Sequence, residues 1–253
     1  MSATGAAALL DERHRRVLFT VVAMRVVIAG GHGQIAQHIE RCLVRRGDQA
    51  VGLVRNPDHV PVLEALGAEA RVVDLENTDE ALVADALAGA DAAVFAAGAG
   101  PGSGIPRKDT MDRAGSELFA RAAKRAGVSR YVLISAMGAE VEPGPDVDPT
   151  FAAYLRAKGL SERSLRAMEL DWTILRPGML TNDDPTGLVE LAPGVARGEV
   201  SRADVAEVIV ALLDEPRTAG MALELVGGRT PIKQAVADSF RTVDIHHRRA
   251  GRT

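Results

Sequence analysis

A single cysteine in 253 residues excludes an internal disulfide framework and any cysteine-built metal cluster. Cys42 falls on the apolar phase of a candidate helix with Ile39 and Leu43, which predicts a buried structural thiol and not a nucleophile. Aromatic residues make up only 3% of the chain, so no stacking platform announces a substrate. No apolar run reaches the roughly 20 residues that a membrane span requires. The formal net charge of −4 gives no electrostatic footprint for nucleic acid. His246 and His247 have no partners at metal-ligand spacing, so no metal site is expected. What remains has 47% hydrophobic and 25% charged residues, ordinary values for a globular chain long enough to bury a full α/β core.

The two ends read differently from the middle. Arg13, Arg15 and Arg16 precede an apolar run, Val17 to Met24, that imitates a secretory signal. Cleavage there would remove or expose the first candidate strand, and Arg25 interrupts the run. Residues 1–23 are therefore expected to be a disordered leader, and residues 241–253 a basic tail. Residues 24–240 are expected to form one domain, with a small substrate-side region at 176–240. A cytoplasmic monomer or homodimer acting on a small molecule is the expected setting.

The middle opens on Arg25-Val-Val-Ile-Ala-Gly30-Gly31-His32-Gly33-Gln34-Ile35-Ala36. Val26 to Ala29 form an apolar run suited to a parallel strand covered on both faces. Gly30 can turn the chain sharply, and Gly33 has no Cβ to hold a pyrophosphate away from the backbone. Ala36 lets the next helix pack closely, and that helix aims free N–H groups and its positive dipole end at phosphates. Strand, turn and helix in this order predict a dinucleotide site, with Gly30, Gly31, His32, Gly33, Gln34 and Ile35 in its wall. The second strand, Gln49 to Val54, ends on Arg55, where an NAD-preferring site usually carries an acid. A guanidinium there favours a 2′-phosphate, so NADP is expected over NAD.

Strands and helices then alternate, as in a doubly wound Rossmann fold with a mainly parallel sheet. The third strand ends near Asp74-Leu75, and the fourth runs through Ala97 into Gly98-Ala-Gly-Pro-Gly-Ser-Gly104. Ligands of such sheets bind at this carboxyl edge, which adds Asp74, Leu75, Ala97 and Gly98 to the expected cofactor set. A helix is predicted over Thr110 to Ala126, a polar loop over 140–149 and a loop at Arg176-Pro-Gly-Met-Leu180.

Tyr154-Leu-Arg-Ala-Lys158 carries the candidate chemistry. Residues four apart share a helix face, so phenol and ammonium can enter one cleft. A neighbouring lysine is expected to lower the tyrosine pKa and ready it as acid or base. Ser135, at the end of the fifth strand, is expected to orient a carbonyl opposite the phenol, and Lys158 to bond the nicotinamide ribose.

With these residues in place, the chain resembles the atypical, NmrA-like and epimerase-like branch of the short-chain dehydrogenase/reductase superfamily, over about Met24 to Pro231. Gly30-Gly-His-Gly33-Gln-Ile-Ala36 is similar to that branch's glycine fingerprint. Ser135, Tyr154 and Lys158 match the superfamily's catalytic set. Asp112 stands where the resemblance implies an Asn in active relatives, and Pro177 lies in a segment implied to cover the nicotinamide. Val200-Ser-Arg-Ala-Asp-Val205 resembles a late segment of the branch. The resemblance implies an NADP-dependent oxidoreductase of a small carbonyl or quinone-like substrate. A non-catalytic NADP(H) sensor and an epimerase or dehydratase are the alternatives.

Overall fold

The unbroken apolar run after Arg25 forms strand β1 (Arg25–Ala29), buried from Val26 onward. A computed structural model describes residues 23–100 and 102–240; the expected tail, and the expected leader except for residue 23, lie outside them. Strand β1 leads to helix α1 (Gln34–Arg46), strand β2 (Gln49–Val54), helix α2 (Val60–Ala65) and strand β3 (Glu69–Val72). Helix α3 (Glu80–Leu87), strand β4 (Ala92–Phe95), the short helix α4 (Ile105–Arg107), helix α5 (Ser116–Arg125) and strand β5 (Arg130–Ile134) follow. Helix α6 (Pro149–Arg166) and strand β6 (Asp171–Pro177) complete the part closest to the prediction.

Beyond it lie strands β7 (Met179–Thr181), β8 (Leu188–Ala192) and β9 (Glu199–Ser201), helix α7 (Arg202–Leu213), strands β10 (Met221–Gly227) and β11 (Thr230–Pro231), and helix α8 (Ile232–Ser239). The main sheet has the order β11-β8-β10-β6-β5-β4-β1-β2-β3. Every pairing from β3 to β10 is parallel, and β8 joins β10 and β11 antiparallel at one edge. The Rossmann expectation holds.

Alternation along β1 builds a core on each face of the sheet. Val26 and Ile28 pack with Ile39 and Leu43 of α1 and the apolar side of α7 and α8. Val27 and Ala29 pack with Val83 and Leu87 of α3 and Phe119 of α5 on the other. Helices cover both sides, so the strands need no polar face.

Three local readings are corrected. The helix expected from Thr110 starts earlier, at α4, and passes through a π-helical stretch, Lys108–Gly115, before α5. The wider turn carries both Lys108 and Asp112 into buried positions. The segment expected as a loop at 176–180 instead continues β6 through Arg176 and Pro177, then forms β7, which pairs with β9. Cys42 is half-buried, with its sulfur beside the Arg45 guanidinium at 3.2 Å, not enclosed in the core.

Candidate active site

The glycine turn is built by close approach. Gly30 adopts φ of 79°, and a Cβ there would lie 2.7 Å from the Ala97 Cα. The Gly30 and Gly31 amides both donate to the Leu53 carbonyl, at 3.2 and 2.9 Å, fastening the turn to β2. Gln37 donates to the His32 carbonyl at 2.8 Å, and the His32 ring stacks on His59 with centroids 3.5 Å apart. Helix α1 then starts with no capping side chain and no acid in its first turn. Its amide groups and dipole therefore suit a phosphate, and the bare backbone of the turn fits the close passage of a dinucleotide. Gln34 is the first residue of this turn and Ile35 reaches a cavity wall.

Gly31 also has a packing reason for being glycine. A Cβ on it would meet Gly52 Cα at 2.7 Å and Glu40 Oε1 at 2.9 Å. Glu40 is fully buried beneath the turn, and neither of its oxygens has a hydrogen-bond partner among the described residues. Burial pushes its carboxyl up to about 8, against a weaker opposing pull from Arg41.

Arg55 lies just past β2, with half its side chain exposed, and donates to Glu76 at 3.1 Å. Glu76 also accepts from Arg107 at 3.0 Å and from the Thr110 hydroxyl at 2.6 Å. Asp74 is occupied within its own turn, accepting from the Glu76 amide at 3.0 Å and Asn77 at 2.9 Å. Leu75 is buried in the core.

The chemistry-bearing residues meet in a cavity of about 730 Å³ at the carboxyl edge of the sheet. Ile35, Ala97, Gly98, Asp112, Ser135, Tyr154 and Lys158 all line it. Arg55, Asp74 and Leu75 do not, and Pro177 belongs to a second cavity of about 630 Å³. Phe151, Tyr154 and Leu180 line both cavities, so the phenol stands at their junction.

Lys158 is fixed from two sides. Its ammonium donates to the Ile134 carbonyl at 3.0 Å and lies 3.3 Å from the Asp112 carboxylate. Asp112 accepts in turn from the Ala99 amide at 3.2 Å, which ties the glycine-rich loop to the site. A second ammonium, that of Lys108, donates to the Gly100 carbonyl at 3.0 Å and lies 5.7 Å from the Tyr154 ring centroid. Lys158 lies 5.8 Å from the same centroid.

The expected lowering of the tyrosine pKa is reversed. Burial, and then the negative charge of Asp112, hold the Tyr154 phenol above its ordinary value. Asp112 offsets the positive charge of Lys158 before the phenol can profit from it. Tyr154 is therefore a proton-bearing phenol at neutral pH.

Ser135 rests on a buried ion-pair network. Its hydroxyl donates to Glu162 at 2.6 Å, and Glu162 receives Arg176 through both oxygens, at 2.9 and 2.5 Å. Arg176 reaches on to Glu140 at 2.9 Å. With its proton committed to Glu162, the Ser135 oxygen faces the cavity as an acceptor.

Glu162 was legible in the sequence and was missed. It follows Tyr154 and Lys158 at a further spacing of four, and so continues their helix face. Lys108 gave no such signal, because only the π-helical turn brings it in. Among the described residues no helix is long and apolar enough to cross a membrane, and no cluster of side chains could hold a metal ion.

Comparisons with known proteins bear on the family and the fold. Residues 30–216 match the family described as NAD(P)H-binding. The chain is 36% identical to a Bacillus subtilis (strain 168) protein called an uncharacterized sugar epimerase, over 84% of this chain and 99% of that one. It is similar to the structure of a Bacillus halodurans protein proposed to be an NAD-dependent epimerase/dehydratase, with TM-score 0.79 and 33% identity, covering 85% of this chain and 100% of the other. A Lactococcus lactis oxidoreductase, ylbE, aligns with TM-score 0.75 and 25% identity, over 85% of this chain and 96% of its own. The chain thus belongs to the NAD(P)H-binding family, in its atypical short-chain dehydrogenase/reductase-like branch.

Proposed function

We propose that this protein is an NADPH-dependent reductase of a small carbonyl or quinone-like substrate, with Tyr154 as proton donor. The observation that carries the reading is the Tyr154 phenol at the junction of two cavities, sharing the first with Ser135 and Lys158. When bound, the reduced nicotinamide supplies hydride, and the remaining tasks fall to the chain. Tyr154 Oη gives a proton to the substrate oxygen as hydride reaches the adjacent carbon, leaving an alcohol or quinol and the oxidised dinucleotide. Lys158 and Asp112 fix the floor below the phenol. Ser135 offers an acceptor oxygen to a substrate or tyrosine hydroxyl, a different task from donating to a carbonyl.

Arg55 supports the preference for NADP. Glu76 engages only one of its N–H groups, so others remain for a 2′-phosphate. The names of two relatives suggest an epimerase or dehydratase instead. Such chemistry also needs proton removal, which a phenol held above its ordinary pKa serves poorly.

The test is a panel of aldehydes, ketones, quinones and flavins with NADPH, followed by loss of nicotinamide absorbance. Tyr154→Phe is expected to lower kcat by about 10²- to 10⁴-fold while the NADPH Kd stays the same. Retained turnover in this variant would remove the acid role.

A further inference from the structure

The second cavity carries positive charge that the fold leaves uncompensated. Its walls include Met137, Pro177 and Met179, which are apolar, together with Arg197, Glu199 and Arg202. Arg197 makes no hydrogen bond or ion pair with any described residue. Arg202, the first residue of α7, donates only to neutral oxygens, the Asn182 amide at 2.7 Å and the Leu180 carbonyl at 3.4 Å. Glu199 is the one acid on this wall and forms no ion pair with either arginine.

This arrangement contrasts with three other cations around the cleft. Lys158 lies against Asp112, Arg176 against Glu162 and Glu140, and Arg107 against Glu76. Arg197 and Arg202 are the two cations on the wall of the second cavity, and neither has a carboxylate partner among the described residues; on the wall of the first, Lys108 likewise lacks one and donates to the Gly100 carbonyl. Arg197 is also placed toward the chemistry. A Cβ on Gly138, three residues beyond Ser135, would lie 3.6 Å from its Nη2. The guanidinium thus lies over the loop that leaves β5, on the side of Tyr154 reached through Phe151 and Leu180.

We infer that Arg197 and Arg202 form an anion subsite, and that the substrate is a carbonyl compound bearing a carboxylate. A planar guanidinium matches a carboxylate in shape and charge, and the apolar floor between the arginines and Tyr154 suits the hydrocarbon part of such a molecule. The inference deepens the reductase reading and relies on it for the place of the carbonyl. No covalent step is added to that reaction.

The experiment uses 4-carboxybenzaldehyde and methyl 4-formylbenzoate, which differ by one charge. Both are titrated calorimetrically into the full chain loaded with NADP⁺, and both are assayed for turnover with NADPH. The acid is expected to bind at least about tenfold more tightly than the ester, the scale of one hydrogen bond to a charged group. Arg197→Gln should shrink that preference several-fold, and the Arg197→Gln, Arg202→Gln pair should abolish it. Thermal melting checks that the variants fold. Arg197 is exposed, so its single variant remains informative if the pair is unstable.

Equal binding of acid and ester, no measurable binding of the acid, or a preference that survives Arg197→Gln unchanged would each overturn the subsite. Acid preference without any NADPH oxidation would keep the subsite and remove the reductase reading for this compound. Turnover of both compounds without preference would do the reverse.

Discussion

Each end of the cleft rests on a buried glutamate, and the fold treats the two in opposite ways. Under the glycine turn, Glu40 has no hydrogen-bond partner among the described residues and a carboxyl pushed up by burial to about 8. Under Ser135, Glu162 is equally buried but receives a serine hydroxyl and a two-point guanidinium. A buried carboxyl without partners lowers its cost by staying protonated, whereas one that is fully bonded can keep its charge. The nucleotide end is therefore shaped by volume, with Gly31 and Gly52 making room for an uncharged acid. The chemical end is shaped by charge, with Lys158 set against Asp112 and Arg176 against Glu162.

Breaking the charged end should have the larger effect. Glu162→Leu leaves Arg176 buried with only the half-exposed Glu140 as partner. Removing one member of a buried pair costs about 3–5 kcal/mol, so the melting temperature should fall by many degrees. An unchanged melting temperature would show that the network adds nothing to stability. Glu162→Gln, which can still bond Ser135, should fall between the variant and the wild type.

The uncharged end should respond with the opposite sign and a pH dependence. Glu40 ionises near 4.5 when unfolded and only near 8 when folded. Its contribution is thus present below pH 4.5 and is lost as pH rises to about 8. Glu40→Gln removes this loss. The variant's stability advantage over wild type should grow between pH 5 and pH 8, reaching a few kcal/mol. A difference that stays constant across that range would mean the group ionises normally in the folded protein.

The smallest expected effect concerns the rim of the nucleotide end. Arg55→Asp should weaken NADPH by roughly tenfold and NADH by much less, because only the former carries a 2′-phosphate. Equal losses in parallel titrations would remove Arg55 from phosphate recognition.

These contrasts follow how legible each part was. The β1 turn could be read directly, since a sharp turn, a close backbone approach and a helix start all depend on adjacent residues. Tyr154 and Lys158 could be paired because helix geometry sets their spacing. Strand β8 alternates buried and exposed residues over five positions, but so short a run between polar turns gives little local signal. Strand β7 has only three residues and exists through its pairing with β9, which no local pattern reveals.

The sequence by itself determined the sheet's parallel half, the dinucleotide turn and the set Ser135, Tyr154 and Lys158, because periodicity and backbone sterics act over a few residues. Only the tertiary structure decided the electrostatics of that set. The pairing of Asp112 with Lys158 spans two separate helical segments, and burial, followed by the Asp112 charge, holds the tyrosine's pKa above its ordinary value. The proton of Ser135 is likewise assigned by Glu162, which reaches it from another element and is itself held by Arg176. Burial and charge are summed over neighbours in space, so the chain order could name groups that share the cavity but not their protonation.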